Sequence, residues 1–475
     1  MSKKIIYLLS LLMALSLVFA SCKKNAAGTG PDLGGLTPPP EEDNTDQADK
    51  NTGLFDDWNK IPTTEIIKKT TVFKSGEDFY RNPVVVSMGN GVVFFFSEVR
   101  YKREGAANDV GVDGGGIVDI VYKGSKDSGI TFGQTKTVNA NYTITDKVEN
   151  SHGAAVVFKA TSDKIVVVAS SGGGIGRTKQ KVNESGKLAS KVDYIVGTVA
   201  SDNITWDSAG WKEVQVDGSK TILSQIESIE AGGPSSAKVK FNQYGTQSAR
   251  GFVPSDNTII LPIVLANQGS TSDTYELMGR YTLKGSLSDN TVTWTAVGNP
   301  IAYSANENAK LGKWKETQAI GGTAEAPNFI VVPSPWSNPK NTKLGKSENV
   351  SAPQTLTIQA SEGAPGYVDL TGKWYGKETY TISGGNMTTG SGNASILMHV
   401  QDISANLTMY VVDTASLTVK GTGGFKINDV GKASSIDVLP DGTIITGAEE
   451  GGQAKNYYGV FTRYSQYYIA DKTGN

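Results

Sequence analysis

Tyr80-Arg81-Asn82-Pro83, then Val84–Met88, Gly89-Asn90-Gly91 and Val92-Val93-Phe94-Phe95-Phe96, is the stretch whose reading decides the fold. Two apolar runs flank a Gly-Asn-Gly triplet, whose residues tolerate positive φ, so the stretch predicts two buried strands joined by a tight hairpin turn. The second run continues into Ser97-Glu98-Val99-Arg100. After a Gly- and Asp-rich loop, a third strand (117–122) leads into Ser125-Lys126-Asp127-Ser128-Gly129-Ile130-Thr131-Phe132. That octet has the pattern S-x-D-x-G-x-T-aromatic. Its Asp can accept bonds from turn N–H groups, its Gly takes a conformation other residues resist, and the Ser and Thr hydroxyls can tie the ends over the aromatic ring.

Working outward, short strands alternate with turn residues from Leu54 onward, and no long helical apolar stripe interrupts them. Among 475 residues, 55 glycines and dispersed β-branched residues predict an all-β chain. Ala154–Phe158 and Ile165–Ala169 read as a hairpin. The loop Gly172–Gly176 that follows is structural, because no Lys-Ser/Thr and no helix pattern come after it to bind phosphate. Asp202-Asn203-Ile204-Thr205-Trp206 and Asp289-Asn290-Thr291-Val292-Thr293-Trp294 are weaker versions of the octet, and Asp402–Met409 keeps little more than its register.

The N-terminus reads differently. Lys3-Lys4 precede an apolar run (5–18) that ends in Phe19-Ala20-Ser21-Cys22, and Cys22 is the chain's single cysteine. A basic start, a short apolar core and small residues before the cleavage point describe a secretory signal over residues 1–21. The run is shorter than the roughly 20 residues needed to cross a bilayer. The cysteine at the cleavage position resembles that of a bacterial lipoprotein, which implies a lipidated Cys22 and an exported, membrane-anchored protein. Residues 22–53, rich in Pro, Gly and acidic residues, cannot bury a core and predict an extended tether.

Net charge is −2, which gives no footing for nucleic acid. One Cys and two distant histidines, His152 and His399, supply neither a Cys/His zinc site nor a Ser-His-Asp set. No cofactor and no metal are expected, and chemistry must come from carboxylates, arginines and tyrosines.

The order Arg81-Asn82-Pro83, Ser97-Glu98-Val99-Arg100 and the 125–132 octet resembles the first blade of the sialidases, whose Asp-box turns have this form. Ala249–Val264 resembles a later family hairpin, and Ser435-Ile436-Asp437-Val438-Leu439-Pro440-Asp441-Gly442-Thr443-Ile444 the last-blade hairpin, with Glu449-Glu450 near the glutamate of its next strand. The resemblance covers roughly residues 75–465. It implies a six-bladed β-propeller over residues 54–475, with 335–395 an insertion or a remodelled blade.

The resemblance also implies an exo-α-sialidase acting on terminal sialic acids of glycans or glycoproteins. Arginine forks hold the substrate carboxylate, and a tyrosine attacks because an anionic nucleophile would meet the substrate's own charge. Arg81 takes the first arginine's place, Arg100 shapes the same pocket, and Arg250 or Arg280 is a further candidate. Asp113, one residue from the place the family spacing gives the acid/base, is its candidate, with Asp109 as alternative; Glu316, with Glu307 competing, fits best as the tyrosine's proton acceptor. The pattern then breaks. The nucleophile position is Ala433, with Tyr457 and Tyr458 the nearest tyrosines downstream, and no arginine lies between Arg280 and Arg463, where the family's other two carboxylate ligands belong. The alternative is therefore a propeller of the same descent that binds a glycan or a protein without hydrolysis.

Overall fold

The computed structural model describes residues 68–101, 118–139, 151–172, 174–175, 189–227, 241–268, 275–302 and 315–333. It also describes strands at 345–347, 357–358, 379–383, 386–389, 394–400, 407–413, 418–419 and 425–428, then 433–440, 443–451, 457–465, 468, 469 and 472. Among these residues the chain is nearly all β, with a short helix at Ile222–Glu227 and helical residues at 468, 469 and 472. Its strands form six sheets.

Strand β1 (Lys68–Lys74) leaves its sequence neighbours and pairs antiparallel with Tyr458–Tyr464. It completes a sheet with Ile444–Glu450 and Ser434–Val438, so the two ends of the domain close on one another. Sheet I is β2 (Phe79–Gly89), β3 (Val92–Arg100), β4 (Val118–Ser125) and β5 (Lys136–Thr137), joined in chain order. The expected hairpin between β2 and β3 is present, with Gly89, Asn90 and Gly91 all at positive φ (90°, 51° and 76°). β6 (His152–Lys159), β7 (Lys164–Gly172), β8 (Ser190–Ala200) and β9 (Asn203–Trp206) build the second sheet.

Sheet I is buried on both faces, which explains its unbroken apolar runs. Because strand side chains alternate, Val84, Val86, Phe94 and Phe96 pack against Val157, Ile165, Val167 and Ile195 of the second sheet. Val85, Val93 and Phe95 pack the other way, against Val72, Ile445 and Phe461 of the closing sheet. The second sheet repeats the arrangement: Val156, Phe158, Val166 and Val168 meet Ile259, Leu261, Ile263 and Trp294 of a third sheet, built around Thr258–Gln268, Tyr275–Ser288 and Thr291–Ala296. Removing one such phenylalanine, as in Phe95→Ala, is expected to cost about 3–5 kcal/mol through lost burial and the cavity left behind. Contact between sheets is tight enough that a Cβ on Gly124 would lie 2.0 Å from the Asp202 carbonyl oxygen in the β8–β9 turn.

The octet after β4 folds as its side chains dictate. Ser125 Oγ donates to Asp127 Oδ1 (2.7 Å) and accepts from Gly129 N (2.8 Å), while Thr131 N donates to Asp127 Oδ1 (2.9 Å) and its hydroxyl to Oδ2. Gly129 sits at φ 85°, and Phe132 packs edge-on against Phe461 and Phe95. The weaker versions at Asp202 and Asp289 fall in two-residue hairpin loops, with Trp206 and Trp294 buried beneath. The turn at Asp402 lies outside the described residues.

Phe252–Ser255 and Thr258–Gln268 form the expected hairpin about Asp256-Asn257. The two residues just before it do something the sequence did not signal. Ala249–Arg250 crosses over and pairs in parallel with β6, Arg250 opposite Val157. Within 335–395, Gly345–Ser347 and Thr357–Ile358 complete a sheet begun by Lys315–Gly322 and Pro327–Pro333, and Thr379–Ser383 and Asn386–Thr389 join one with Ala394–Val400 and Leu407–Asp413.

Candidate functional site

Arg81 lies near the start of β2, opposite Glu98 on β3. Asn82 follows at φ 52°, and the register shifts between Arg81 and Val84, so the strand bulges where the motif's polar residues stand. Arg81 Nε donates to Glu449 Oε1 (2.8 Å), and Asn82 N donates to the same oxygen (2.7 Å). The pair is out of water, with the Arg81 side chain 9% exposed and that of Glu449 0%. Burial works against the guanidinium's charge, but Glu449 outweighs it and raises the Arg81 pKa above its ordinary value. Tyr457, itself buried, lays its ring 4.9 Å from the Arg81 guanidinium carbon. Its phenol is pushed up to about 12 by burial and by Glu449, with Arg81 opposing. Among the described residues, Arg81 Nη1 and Glu449 Oε2 have no hydrogen-bond partner.

Glu98 forms a second buried centre beside the first. Its Oε2 accepts from Arg100 Nε (2.8 Å) and lies 2.6 Å from Nη2, while Oε1 accepts the main-chain N–H of Ala154 in the second sheet (2.6 Å). Burial pushes the Glu98 carboxyl up; Arg100, the Ala154 N–H and the Asn82 side chain outweigh it and hold it below the usual carboxylate range. Ser97 Oγ donates to the Arg81 carbonyl (2.9 Å), tying the two centres across the hairpin.

The closing sheet supplies the remaining polar contacts. Ser435 Oγ accepts from Val85 N (2.7 Å), and Asp437 Oδ2 from Ser87 N (2.7 Å). Alternate residues of one strand thus satisfy alternate N–H groups along the edge of β2, groups that would otherwise be buried without partners. Asp437 Oδ1 also lies 2.9 Å from Arg250 Nε. Ala433 is buried at the head of this strand, and its carbonyl accepts from Glu449 N (2.8 Å).

The sequence-predicted residues therefore separate into groups. Arg81 and Arg100 stand at the same end of sheet I, each paired with a glutamate. Arg250 stands further along, opposite mid-β6, and pairs with Asp437. Arg280 is buried in the strand Tyr275–Ser288, between Val264 and Ile301. Glu316 lies on the strand Lys315–Gly322 opposite Val332. Asp109, Asp113, Glu307 and Cys22 lie outside the described residues. Glu98 was missed as part of the cluster, and Tyr457, with Tyr458, was expected at the centre only under a different register of the last blade. Glu98 carries a signal, since a carboxylate two residues before Arg100 on one strand shares its face, whereas nothing local marks Tyr457 as covering Arg81. Among the described residues, no group of three or more His, Cys, Asp or Glu side chains could hold a metal ion.

No family model matches the chain, and no curated protein does. Solved structures do. Trypanosoma rangeli sialidase in complex with the inhibitor DANA superposes with a TM-score of 0.52 at 13% identity, over 84% of this chain and 59% of that one. The intramolecular trans-sialidase from Ruminococcus gnavus, in complex with oseltamivir carboxylate, gives 0.52 at 10% identity over 85% and 99%. The NanB sialidase from Streptococcus pneumoniae gives 0.50 at 12% identity over 85% and 71%. The chain spans about three fifths of the T. rangeli enzyme's length (59%). The likeness is one of architecture, and the protein has a sialidase-like fold.

Proposed function

We propose that the protein is a six-bladed, Asp-box propeller of the sialidase family, exported and anchored through a lipid on Cys22, that binds terminal sialic acids on glycoconjugates without hydrolysing them. One observation carries the binding reading: Arg81 gives Nε to Glu449 and is left with a buried Nη1 that no described residue satisfies. A buried donor without an acceptor costs about 1–3 kcal/mol, a penalty that a ligand carboxylate would relieve. The absence of hydrolysis follows from Ala433, which joins Glu449 through the main chain at the place the resemblance gives to the nucleophile. With one such fork, one or two charge-assisted bonds at about 1.5–3 kcal/mol each leave monovalent affinity at about millimolar or weaker. Many copies on a lipid-anchored tether (22–53) would raise avidity toward a sialylated surface.

The test pairs a fluorogenic sialoside with a sialyllactose titration of the mature protein. The expected result is no fluorophore release and binding at about millimolar or weaker that Arg81→Ala abolishes. Enzyme-like release, lost in Arg81→Ala, would overturn the non-hydrolytic part. Absence of binding would overturn the sialoside part and leave a protein partner as the occupant. Incorporation of labelled palmitate, lost in Cys22→Ala, tests the anchor.

A second reading, an exo-α-sialidase with Tyr457 supplying the phenol, is favoured by the placement of that ring over Arg81 within the field of Glu449. In it Asp113 would serve as acid/base and Glu316 as proton acceptor. A phenol pushed up to about 12 opposes it, and Tyr457→Phe separates the two readings, because the second requires the oxygen.

A further inference from the structure

We propose that His152 is a positioning residue for Arg100, acting through a strained bulge at the head of β6. The His152 ring stacks on Trp211 with centroids 4.0 Å apart and planes 10° from parallel. Its Nε2 lies 3.1 Å from Asp193 Oδ2, the oxygen that also accepts from Ser171 Oγ at 2.6 Å. Both donors converge on the aspartate, so this is no Ser-His-Asp relay, in which the histidine would stand between the other two. What the arrangement does is fix the first residue of β6 to β7 and β8.

Two residues later the backbone is strained. Ala154 has φ 52°, the left-handed region that a residue with a Cβ avoids, and the β6–β7 register shifts between Gly153 and Val156. Such a conformation persists only where its surroundings hold it. Here the Ala154 carbonyl accepts from Thr246 Oγ1 (2.6 Å), and Thr246 N donates to Ser170 Oγ (2.8 Å). The bulge delivers the Ala154 N–H to Glu98 Oε1, leaving Oε2 to Arg100. Gly153 gives the room, since a Cβ there would stand 3.3 Å from Glu98 Oε1. With His152 released from Asp193, Ala154 can relax to negative φ, its N–H turns from Glu98, and Arg100 loses the fixed carboxylate that orients it.

The consequence for a ligand rests on Arg100 lining the proposed site, whereas the linkage itself can be read without one. In the mature protein labelled with 15N-arginine, hydrogen exchange at Arg100 Nε–H is followed in His152→Phe, which keeps an aromatic ring for Trp211 but no donor for Asp193. Arg100 Nε–H should exchange about tenfold faster, as expected of a local opening, while Arg81 Nε–H stays at its wild-type rate. Adding Ala154→Gly, which removes the left-handed penalty, should return Arg100 toward wild type, and His152→Gln, with a donor of similar reach, should do so in part. Unchanged Arg100 exchange in His152→Phe overturns the proposal, and so does an equal rise at Arg81, which would mark general loosening. If His152→Phe gives no folded protein, His152→Asn, whose shorter amide falls short of Asp193, carries the same comparison. A protein that binds no sialoside still answers this test; one that binds sialyllactose equally well with and without the His152 donor refutes only the consequence for the ligand.

Discussion

The two ends of sheet I hold their polar groups in opposite ways. At the turn end, Ser125, Asp127 and Thr131 bond to one another and to intervening N–H groups, all within the octet. Asp127 is half-buried, and its carboxyl keeps some water. At the other end, Arg81 reaches Glu449 in the closing sheet, and Glu98 reaches Ala154 in the second. Those groups are almost wholly out of water. A local cage shares its bonds among several partners and has solvent in reserve, whereas a buried pair between sheets has neither. The turn end is therefore suited to holding a fold and tolerates loss; the other end is stiff, expensive to disturb and has charge to offer a ligand.

The largest expected effect comes from Glu449→Ala. It leaves the Arg81 charge buried without its carboxylate, a change that typically destabilises by about 3–5 kcal/mol. Urea unfolding should show the midpoint falling with the slope unchanged. A loss below about 1 kcal/mol would mean that water reaches Arg81, and the contrast between the two ends would fail. Asp127→Ala should come next, at about 2 kcal/mol, because it removes a carboxylate that accepts three bonds but leaves each donor near solvent or another acceptor. Sialoside binding should be unchanged in Asp127→Ala and lost in Glu449→Ala.

The same contrast governs what could be read from sequence. The octet was legible in full because every partner of Asp127 lies within four residues of it, so residue type and spacing alone specify the cage. The β2–β3 hairpin was legible for a similar reason: Gly89-Asn90-Gly91 sets the turn, and apolar runs on both sides require burial. At the other end, Arg81 was placed through resemblance, but its being covered by Tyr457 was not, since a ring stacking on a guanidinium leaves no periodic trace. The parallel pairing of Ala249–Arg250 with β6 was equally hidden, because two residues carry no pattern of their own. Ser435 and Asp437 belong to a hairpin legible in sequence, yet their use as acceptors for Val85 N and Ser87 N depends on a neighbouring sheet brought up by the closure of the chain.

Acid titration offers a smaller and independent measure. Glu98 and Asp127 are both held below their ordinary values of 4.5 and 3.8. Between folded and unfolded values the unfolded chain binds more protons, so stability rises with pH there and is lost as pH falls through the folded value. Each carboxylate's contribution is thus fully present above its ordinary value and lost progressively below it. Wild-type stability should decline on acidification through this window. Glu98→Gln should be less stable at neutral pH and should flatten the acid limb; Asp127→Asn should flatten it less, since its carboxyl is more solvated. An acid limb unaltered by Glu98→Gln would show that the Glu98–Arg100 pair adds nothing to the fold.

The smallest effect is the most discriminating, because it removes a single bond from the redundant end. Thr131→Val deletes the hydroxyl that donates to Asp127 Oδ2 and keeps the β-branched shape. Asp127 Oδ1 still accepts from Ser125 Oγ and Thr131 N, and Oδ2 turns to water. The loss should be about 0.5–1 kcal/mol, the net worth of one ordinary hydrogen bond. Glu449→Gln is its counterpart at the other end: it preserves shape and an acceptor for Arg81 Nε but removes a charge from a buried pair. That exchange should cost several times more than Thr131→Val, although each substitution alters one functional group. Equal losses would show that burial does not separate the two ends, and that Arg81 and Glu449 are held no more tightly than a surface turn.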